Sequence, residues 1–191
     1  MPNADLSSRA MGKPDSVPNH IDYRRCAIQG QAVAGTLSLA SLPRVVAAAH
    51  AKPPADAVAQ VQLDFREDGQ RRVQVDGWVT APLMLQCQRC METFRQIVDT
   101  QVSGIIVASD DAAAAVPREF EPIMAAGHLL DVHALVADEL LLALPMVARC
   151  QRPACRARYE AEADDLTPQA ATRKDKPFAV LSELWHDKSS D

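Results

Sequence analysis

Hydrophobic and polar residues alternate most clearly in VQLDFREDGQRRVQV (residues 61–75), on both sides of an Asp-Gly pair. A period of two is typical of a strand with one buried face, and Asp-Gly favours a tight turn between two such strands. The pattern predicts a β-hairpin, followed by a third strand over GWVTAPLMLQ (77–86) and a fourth over ETFRQIVDTQVSGIIV (92–107). An earlier strand is predicted over QAVAGTLSL (31–39).

Two segments carry the start and stop signals of helices. DVHALVADELLLALP (131–145) opens with Asp131, a good N-cap, and ends at Pro145, which predicts a long helix over residues 131–144. SLPRVVAAAH (41–50) predicts a short helix with Ser41 as N-cap and Pro43 in the first turn. The predicted fold class is α+β, with a mainly antiparallel β-sheet, a packed long helix and a knuckle of cysteines.

The polar, proline-bearing start of the chain and a stretch near its end lack apolar periodicity. Such segments bury too little apolar surface to offset the entropy of ordering them. The predicted organisation is therefore a disordered N-terminal tail over residues 1–19, a single α+β domain over 20–159, a linker over 160–176 and a short C-terminal helix over 177–187.

The 191-residue chain has a formal net charge of −5, which argues against a polycationic protein, and no DNA is expected as a partner. The charge is uneven, because residues 106–145 carry seven acidic residues and one basic residue. No apolar run reaches the length of a membrane span, and no signal pattern is visible. We expect a cytoplasmic protein without membrane contact, whose five cysteines stay reduced.

Four of the cysteines form two spaced pairs. Cys87 and Cys90 lie at spacing C-x2-C between two predicted strands, and Cys150 and Cys155 lie at spacing C-x4-C after the long helix. Zn²⁺ binds four thiolates with pair spacings of about two to four residues. The four residues are therefore a candidate structural zinc site. The alternatives are packed or loop cysteines, or a redox pair, although redox chemistry favours a helix N-terminus and a strand follows here.

Arginines cluster in sequence around these cysteines and form a candidate contact surface for RNA or a partner: Arg89, Arg95, Arg149, Arg152, Arg156 and Arg158. Guanidinium groups bind phosphates well, but they also complement the negative charge of a four-thiolate zinc site. A solvated charge cluster is a third interpretation. Only Tyr159 lies nearby for base stacking, so sequence-specific base recognition is not indicated.

The sequence contains no constellation of catalytic residues. It has no Gly-rich phosphate loop, no G-x-S-x-G and no H-E-x-x-H. His133 does not share a helical face with Asp138 or Glu139, and the other histidines are scattered along the chain. We therefore expect a protein that is not an enzyme and that has no catalytic residues.

Five segments, in this order, are similar to the YceD family: IDYRRC, GTLSLASLPRV, LMLQCQRCMETF, LLDVHALVADELLLALPMVARC and KPFAVLSEL. The resemblance covers roughly residues 20–185 and rests chiefly on CQRC, LALP and KPFAVL. This bacterial family, with plastid relatives, is associated with accumulation of 23S ribosomal RNA, and its gene commonly neighbours that of a large-subunit ribosomal protein. The zinc interpretation rests on the cysteines of this chain and not on the resemblance.

The resemblance implies a non-enzymatic factor that supports 23S rRNA accumulation and large ribosomal subunit biogenesis. Its partner would be 23S rRNA or its precursor, or a large-subunit ribosomal protein. Two alternatives stay open: a zinc-dependent RNA-processing enzyme, and a protein-binding adaptor that recruits a ribosomal protein or nuclease through the acidic helix face. The sequence does not separate RNA contact from protein contact.

Overall fold

The computed structural model describes residues 16–157. Within them the chain forms, in order, β1 (His20–Asp22), α1 (Tyr23–Gln29), β2 (Ala32–Ser38), α2 (Pro43–Ala48), β3 (Val58–Glu67), β4 (Val73–Gln86), β5 (Thr93–Val107), α3 (Asp110–Ala114), β6 (Glu121–Met124), β7 (Leu129–Asp131) and α4 (Val132–Leu142). Of the described residues, those through Cys150 belong to one compact unit, and those from Gln151 onward belong to a second. No helix among the described residues has the length and apolar character needed to cross a membrane.

Five strands form one sheet in the order β2-β3-β4-β5-β6, and β1 pairs with β7 in a separate two-stranded sheet. Every pairing is antiparallel except that of β5 with β6. The prediction of an α+β fold with a mainly antiparallel sheet is confirmed. The helix predicted as long, α4, has an ordinary length of 11 residues. It ends before Pro145, which disfavours helical backbone in the preceding residue.

The pairing of β4 with β5 is the longest in the sheet and runs from Val73↔Ile106 to Gln86↔Thr93. β3 pairs with β4 only as far as Thr80. The remaining residues, 81–86 with 93–98, therefore form a two-stranded arm that extends past β3 and ends at the hairpin tip, residues 87–92. Residues 73–86 are one continuous strand, so the prediction of a separate third strand from residue 77 is wrong.

The core lies on one face of the five-stranded sheet. On β3 the alternate residues Val61, Leu63 and Phe65 are buried, as the period of two predicted. Helices α1 and α4 pack against the sheet, and α4 contributes five buried side chains: Val132, Leu135, Val136, Ala137 and Leu140. Burial of each large apolar side chain contributes roughly 1.5–3 kcal/mol, so this face supplies most of the stability of the fold.

The two predicted helix starts have different outcomes. The Asp131 carboxylate accepts a hydrogen bond from the Ala134 backbone N–H at 2.8 Å, which confirms the predicted N-cap of α4. The prediction of Ser41 as a cap is wrong, because α2 begins at Pro43 and Leu42 occupies the cap position. Ser41 instead ends a 3₁₀ turn, where its hydroxyl donates to the carbonyl oxygen of Ser38 at 2.7 Å.

Residues 16–19, which the sequence assigned to the N-terminal tail, contact the folded unit. Val17 is buried, and its backbone N–H donates to the Thr36 carbonyl oxygen at 3.1 Å. The Asn19 carbonyl oxygen accepts from the backbone N–H of Val132 at 2.8 Å. The rest of the predicted tail, the linker over 160–176 and the helix over 177–187 lie outside the described residues.

Gly77 is a point of close backbone approach within the sheet. A Cβ atom added at this position would lie 2.0 Å from the backbone oxygen of Gln62 on β3. We predict that Gly77→Ala lowers the free energy of unfolding by about 2 kcal/mol or more, because the two backbones must move apart. Urea unfolding measures this change. Gly69→Ala is the matched control, since nothing lies within 4 Å of an added Cβ there, and equal losses in both variants would contradict the prediction.

Candidate metal centre

The hairpin tip between β4 and β5 is closed by its own backbone hydrogen bonds. The Cys87 N–H donates to the Glu92 carbonyl oxygen, and the Met91 N–H donates back to the Cys87 carbonyl oxygen, both at 2.9 Å. Met91 has a φ of 60°, the left-handed conformation that lets the chain reverse within so few residues. Cys87 and Cys90 lie at this tip, between two strands as predicted, and their sulfur atoms are within 4.8 Å of each other.

The segment that follows α4 returns to this tip. The Gln88 N–H donates to the Ala148 carbonyl oxygen at 2.8 Å, and the Cys150 N–H donates to the Cys87 sulfur at 3.4 Å. The Arg89 guanidinium donates to the Cys150 carbonyl oxygen at 3.3 Å. One of these bonds joins two backbone groups, one reaches the Cys87 sulfur and one comes from the Arg89 side chain, and together they hold Cys150 beside the first cysteine pair.

The structure brings the four predicted thiols together. The sulfur atoms of Cys87, Cys90, Cys150 and Cys155 all lie within 4.8 Å of one another, and this group could hold a metal ion. The sulfurs of Cys90 and Cys150 are 3.8 Å apart. A tetrahedral ion with metal–sulfur bonds of about 2.3 Å separates its ligands by about 3.8 Å, so this pair already has the spacing of a coordinated one.

Three of the four cysteines are buried, and Cys90 is half-buried. Residues 153–157 are helical, and the Cys155 N–H donates to the Arg152 carbonyl oxygen at 3.1 Å. The fifth cysteine, Cys26, is buried on α1 and is not a member of the group.

The local backbone favours the charged form of Cys87. Hydrogen bonds from the N–H of Cys150 and then from that of Cys90 outweigh the cost of desolvation and lower the pKa of the Cys87 thiol to about 5. The thiolate is the form of cysteine that binds metals, and it already predominates at neutral pH. In contrast, burial is the main cause that raises the pKa of Cys26, which keeps that thiol protonated.

The candidate RNA-contact arginines do not share one environment. Arg89 is half-buried at the tip, where it bonds to the backbone of Cys150. Arg149 is exposed beside Cys150, and Arg95 is exposed on β5. In the second unit Arg152 and Arg156 are exposed, while Arg158 lies outside the described residues. RNA contact through these six residues stays a prediction.

The spacing of the cysteines predicts the four sulfur ligands but not the groups that position them. The N–H of Gln88 and the carbonyl oxygen of Ala148 join the hairpin tip to the segment after α4. No side-chain pattern marks such a bond, because both atoms belong to the backbone. The Pro145 that ends the helix was the available signal that the chain turns at this point.

Residues 75–185 match the family model described as "Large ribosomal RNA subunit accumulation protein YceD". That segment is more than half of the chain and contains most of β4, all of β5 and α4, and the four clustered cysteines. The chain belongs to the YceD family. The resemblance inferred from CQRC, LALP and KPFAVL is therefore confirmed.

A curated member of the YceD family from Haemophilus influenzae is 35% identical to this chain over 127 residues. The match covers 66% of this chain and 73% of the relative, which is named "Large ribosomal RNA subunit accumulation protein YceD". No solved structure matches the chain. The likeness to known proteins is thus one of sequence and covers most of both chains.

We predict that metal-free protein gains ultraviolet thiolate absorbance as the pH rises through about 5, because the N–H donors around Cys87 stabilise its anion. Cys87→Ser removes this step. Cys26→Ser leaves it in place, because the pKa of Cys26 is raised and that thiol titrates only in alkaline solution. A wild-type protein whose first thiolate appears only near pH 9, the usual value for cysteine, would contradict the prediction.

Proposed function

We propose that this protein is a non-enzymatic cytoplasmic factor that supports accumulation of 23S rRNA and biogenesis of the large ribosomal subunit. The observation that carries the proposal is membership of the YceD family, together with the name of the Haemophilus influenzae relative. The match covers 73% of that relative, so the proposal transfers a function between chains that align over most of their length.

We further propose that the four clustered thiols hold one structural Zn²⁺. The donor set is sulfur alone, which suits this borderline soft ion, and the 3.8 Å spacing of Cys90 and Cys150 fits its tetrahedral geometry. Four thiolates give the site a negative formal charge, and the Arg89 guanidinium at the tip would offset part of it. The ion would fasten the hairpin tip to the segment that follows α4.

The donor set also bears on the alternative of a zinc-dependent RNA-processing enzyme. A catalytic zinc ion keeps one position open for water or substrate, whereas four thiolates complete a tetrahedral site. The four-cysteine group therefore supports a structural role. Incubation of zinc-loaded protein with a 23S rRNA precursor tests this point, since cleavage of the RNA that depends on Cys87 would favour the enzyme.

We predict that purified protein contains about one zinc ion per chain and that Cys87→Ser or Cys90→Ser loses it. The free energy of metal binding then contributes to folding, so each variant unfolds at a lower temperature than the wild type. Elemental analysis and thermal melting measure the two effects. Cys26→Ser is the matched control, because it removes a buried thiol outside the group. Wild-type protein with little zinc, and equal melting of all variants, would contradict the site.

We predict that cells lacking this protein have a reduced ratio of 23S to 16S rRNA and that expression of the wild-type chain restores it. If the zinc site is needed for the fold, the double variant Cys87→Ser with Cys90→Ser restores the ratio poorly, whereas Cys26→Ser restores it fully. RNA gel analysis with immunoblotting separates loss of function from loss of protein. An unchanged ratio in the deletion strain would remove the ribosomal proposal and leave the zinc proposal standing.

A further inference from the structure

A groove of about 500 Å³ lies between β6 and α4. Its walls include all four consecutive residues of β6, Glu121–Met124. Successive side chains of a strand point to opposite faces, so a cavity lined by every residue runs along the strand edge and not above one face. The opposite wall is formed by one side of α4 with helical spacing: Ala134, Leu135, Asp138, Glu139, Leu141 and Leu142.

The edge of β6 that borders this groove is an open sheet edge, because β6 ends the five-stranded order of the described residues. The Ala125 N–H donates to the Val107 carbonyl oxygen of β5. Ile123 and Glu121 lie two and four residues before Ala125, so their backbone N–H and C=O groups also point toward β5. By alternation, Pro122 and Met124 direct their backbone groups away from β5, toward the groove. Proline is tolerated there because the N–H it lacks would point outward.

The groove combines apolar walls with an acidic rim. Ile123 and Leu141 are half-buried, and Leu142 is 74% exposed. Among the described residues, four carboxylates line the same space, Glu121, Asp131, Asp138 and Glu139, and one cation does, Arg44, which bonds to Asp138. Burial, followed by the neighbouring charges of Glu121 and Asp138, raises the pKa of Glu139.

We propose that this groove binds a lysine- or arginine-rich extended segment of another protein, which adds as a strand to the free edge of β6. The segment's backbone would bond to the Met124 N–H and to the carbonyl oxygens of Pro122 and Met124. In an extended segment alternate side chains point to opposite sides, so apolar residues would meet the wall of α4 while basic residues meet the rim. The proposal is independent of the metal centre and of the ribosomal role.

Charge selects this occupant over two others. An RNA strand would bring phosphates against an acidic rim, and like charges at close range repel each other. A second copy of this chain, paired through its own β6, would bring Glu121 and Glu139 against the same residues of its partner. A basic segment removes the repulsion among the carboxylates and is attracted to them.

The experiment is a fluorescence anisotropy titration of the full-length protein with a labelled short peptide of alternating lysine and valine. We expect saturable binding that weakens with salt, and no binding of the matching glutamate–valine peptide. Glu121→Gln with Glu139→Gln should weaken binding roughly tenfold, since two close charge pairs are lost. Asp64→Asn with Glu67→Gln, two exposed carboxylates of β3, is the matched control and should leave binding unchanged.

A second pair of variants tests strand addition itself. Met124→Pro removes the N–H that points into the groove, whereas Met124→Ala shortens the side chain and keeps that N–H. We expect loss of peptide binding only in Met124→Pro, with melting temperatures that show both variants to be folded. Equal binding by both variants, or equal binding of the lysine and glutamate peptides, would overturn the proposal. Two further results would overturn the proposal: binding of a labelled uridine oligonucleotide, or dimerisation seen in sedimentation. Either result counts if Met124→Pro abolishes it and Met124→Ala retains it.

Discussion

The unbroken pairing of β4 with β5 is the constraint on which the other features depend. Fourteen residues of β4 pair in register with β5, although β3 supports only the first part of β4. A slip of one residue would turn the buried side chains of one strand to the face opposite those of the other, so burial of Leu83 and Val98 on the same face fixes the register of the arm. The register in turn fixes where the hairpin tip lies and which way Cys87 and Cys90 point.

At the tip, the backbone N–H groups that help to fix the fold also stabilise the Cys87 thiolate. The N–H groups of Cys90 and Cys150 that stabilise the Cys87 thiolate belong to the turn and to the returning segment after α4. Their positions follow from the fold of the backbone, so groups of the protein itself stabilise the thiolate. Preorganised donors of this kind cost little rearrangement when a charge forms beside them.

Local patterns predicted the elements whose signals lie within a few residues of one another. The β3–β4 hairpin follows from alternation around Asp-Gly, and Asp68 indeed closes the loop by accepting from the N–H groups of Gln70 and Arg72. Helix α1 was not predicted, although Asp22 caps it and Gly30 ends it with a φ of 59°, because only three of its residues are buried and its apolar stripe is short.

Elements stabilised by distant partners could not be predicted in this way. β1 and β7 have three residues each, and each is a strand only because the other lies beside it, more than a hundred positions away. The acidic groove has the same origin: the excess of carboxylates between residues 106 and 145 was visible, but the neighbourhood of Glu121 and Glu139 depends on where β6 and α4 pack. The cysteine group was predictable as residue types at a suitable spacing, while its convergence depends on the return of the chain after Pro145.

The contact between the sulfurs of Cys90 and Cys150 also has a consequence for the unfolded chain. The two residues are 60 positions apart in sequence, and β5, β6, β7 and α4 all lie between them. An ion that stayed bound to both in the denatured state would close this whole stretch into a loop and remove unfolded-state entropy worth about 4 kcal/mol, by the relation used for covalent cross-links. The short edge strand β6 and helix α4 would then lie within one loop closed by the ion. The free energy of unfolding of this part of the chain would depend on the supply of metal as well as on the size of the core.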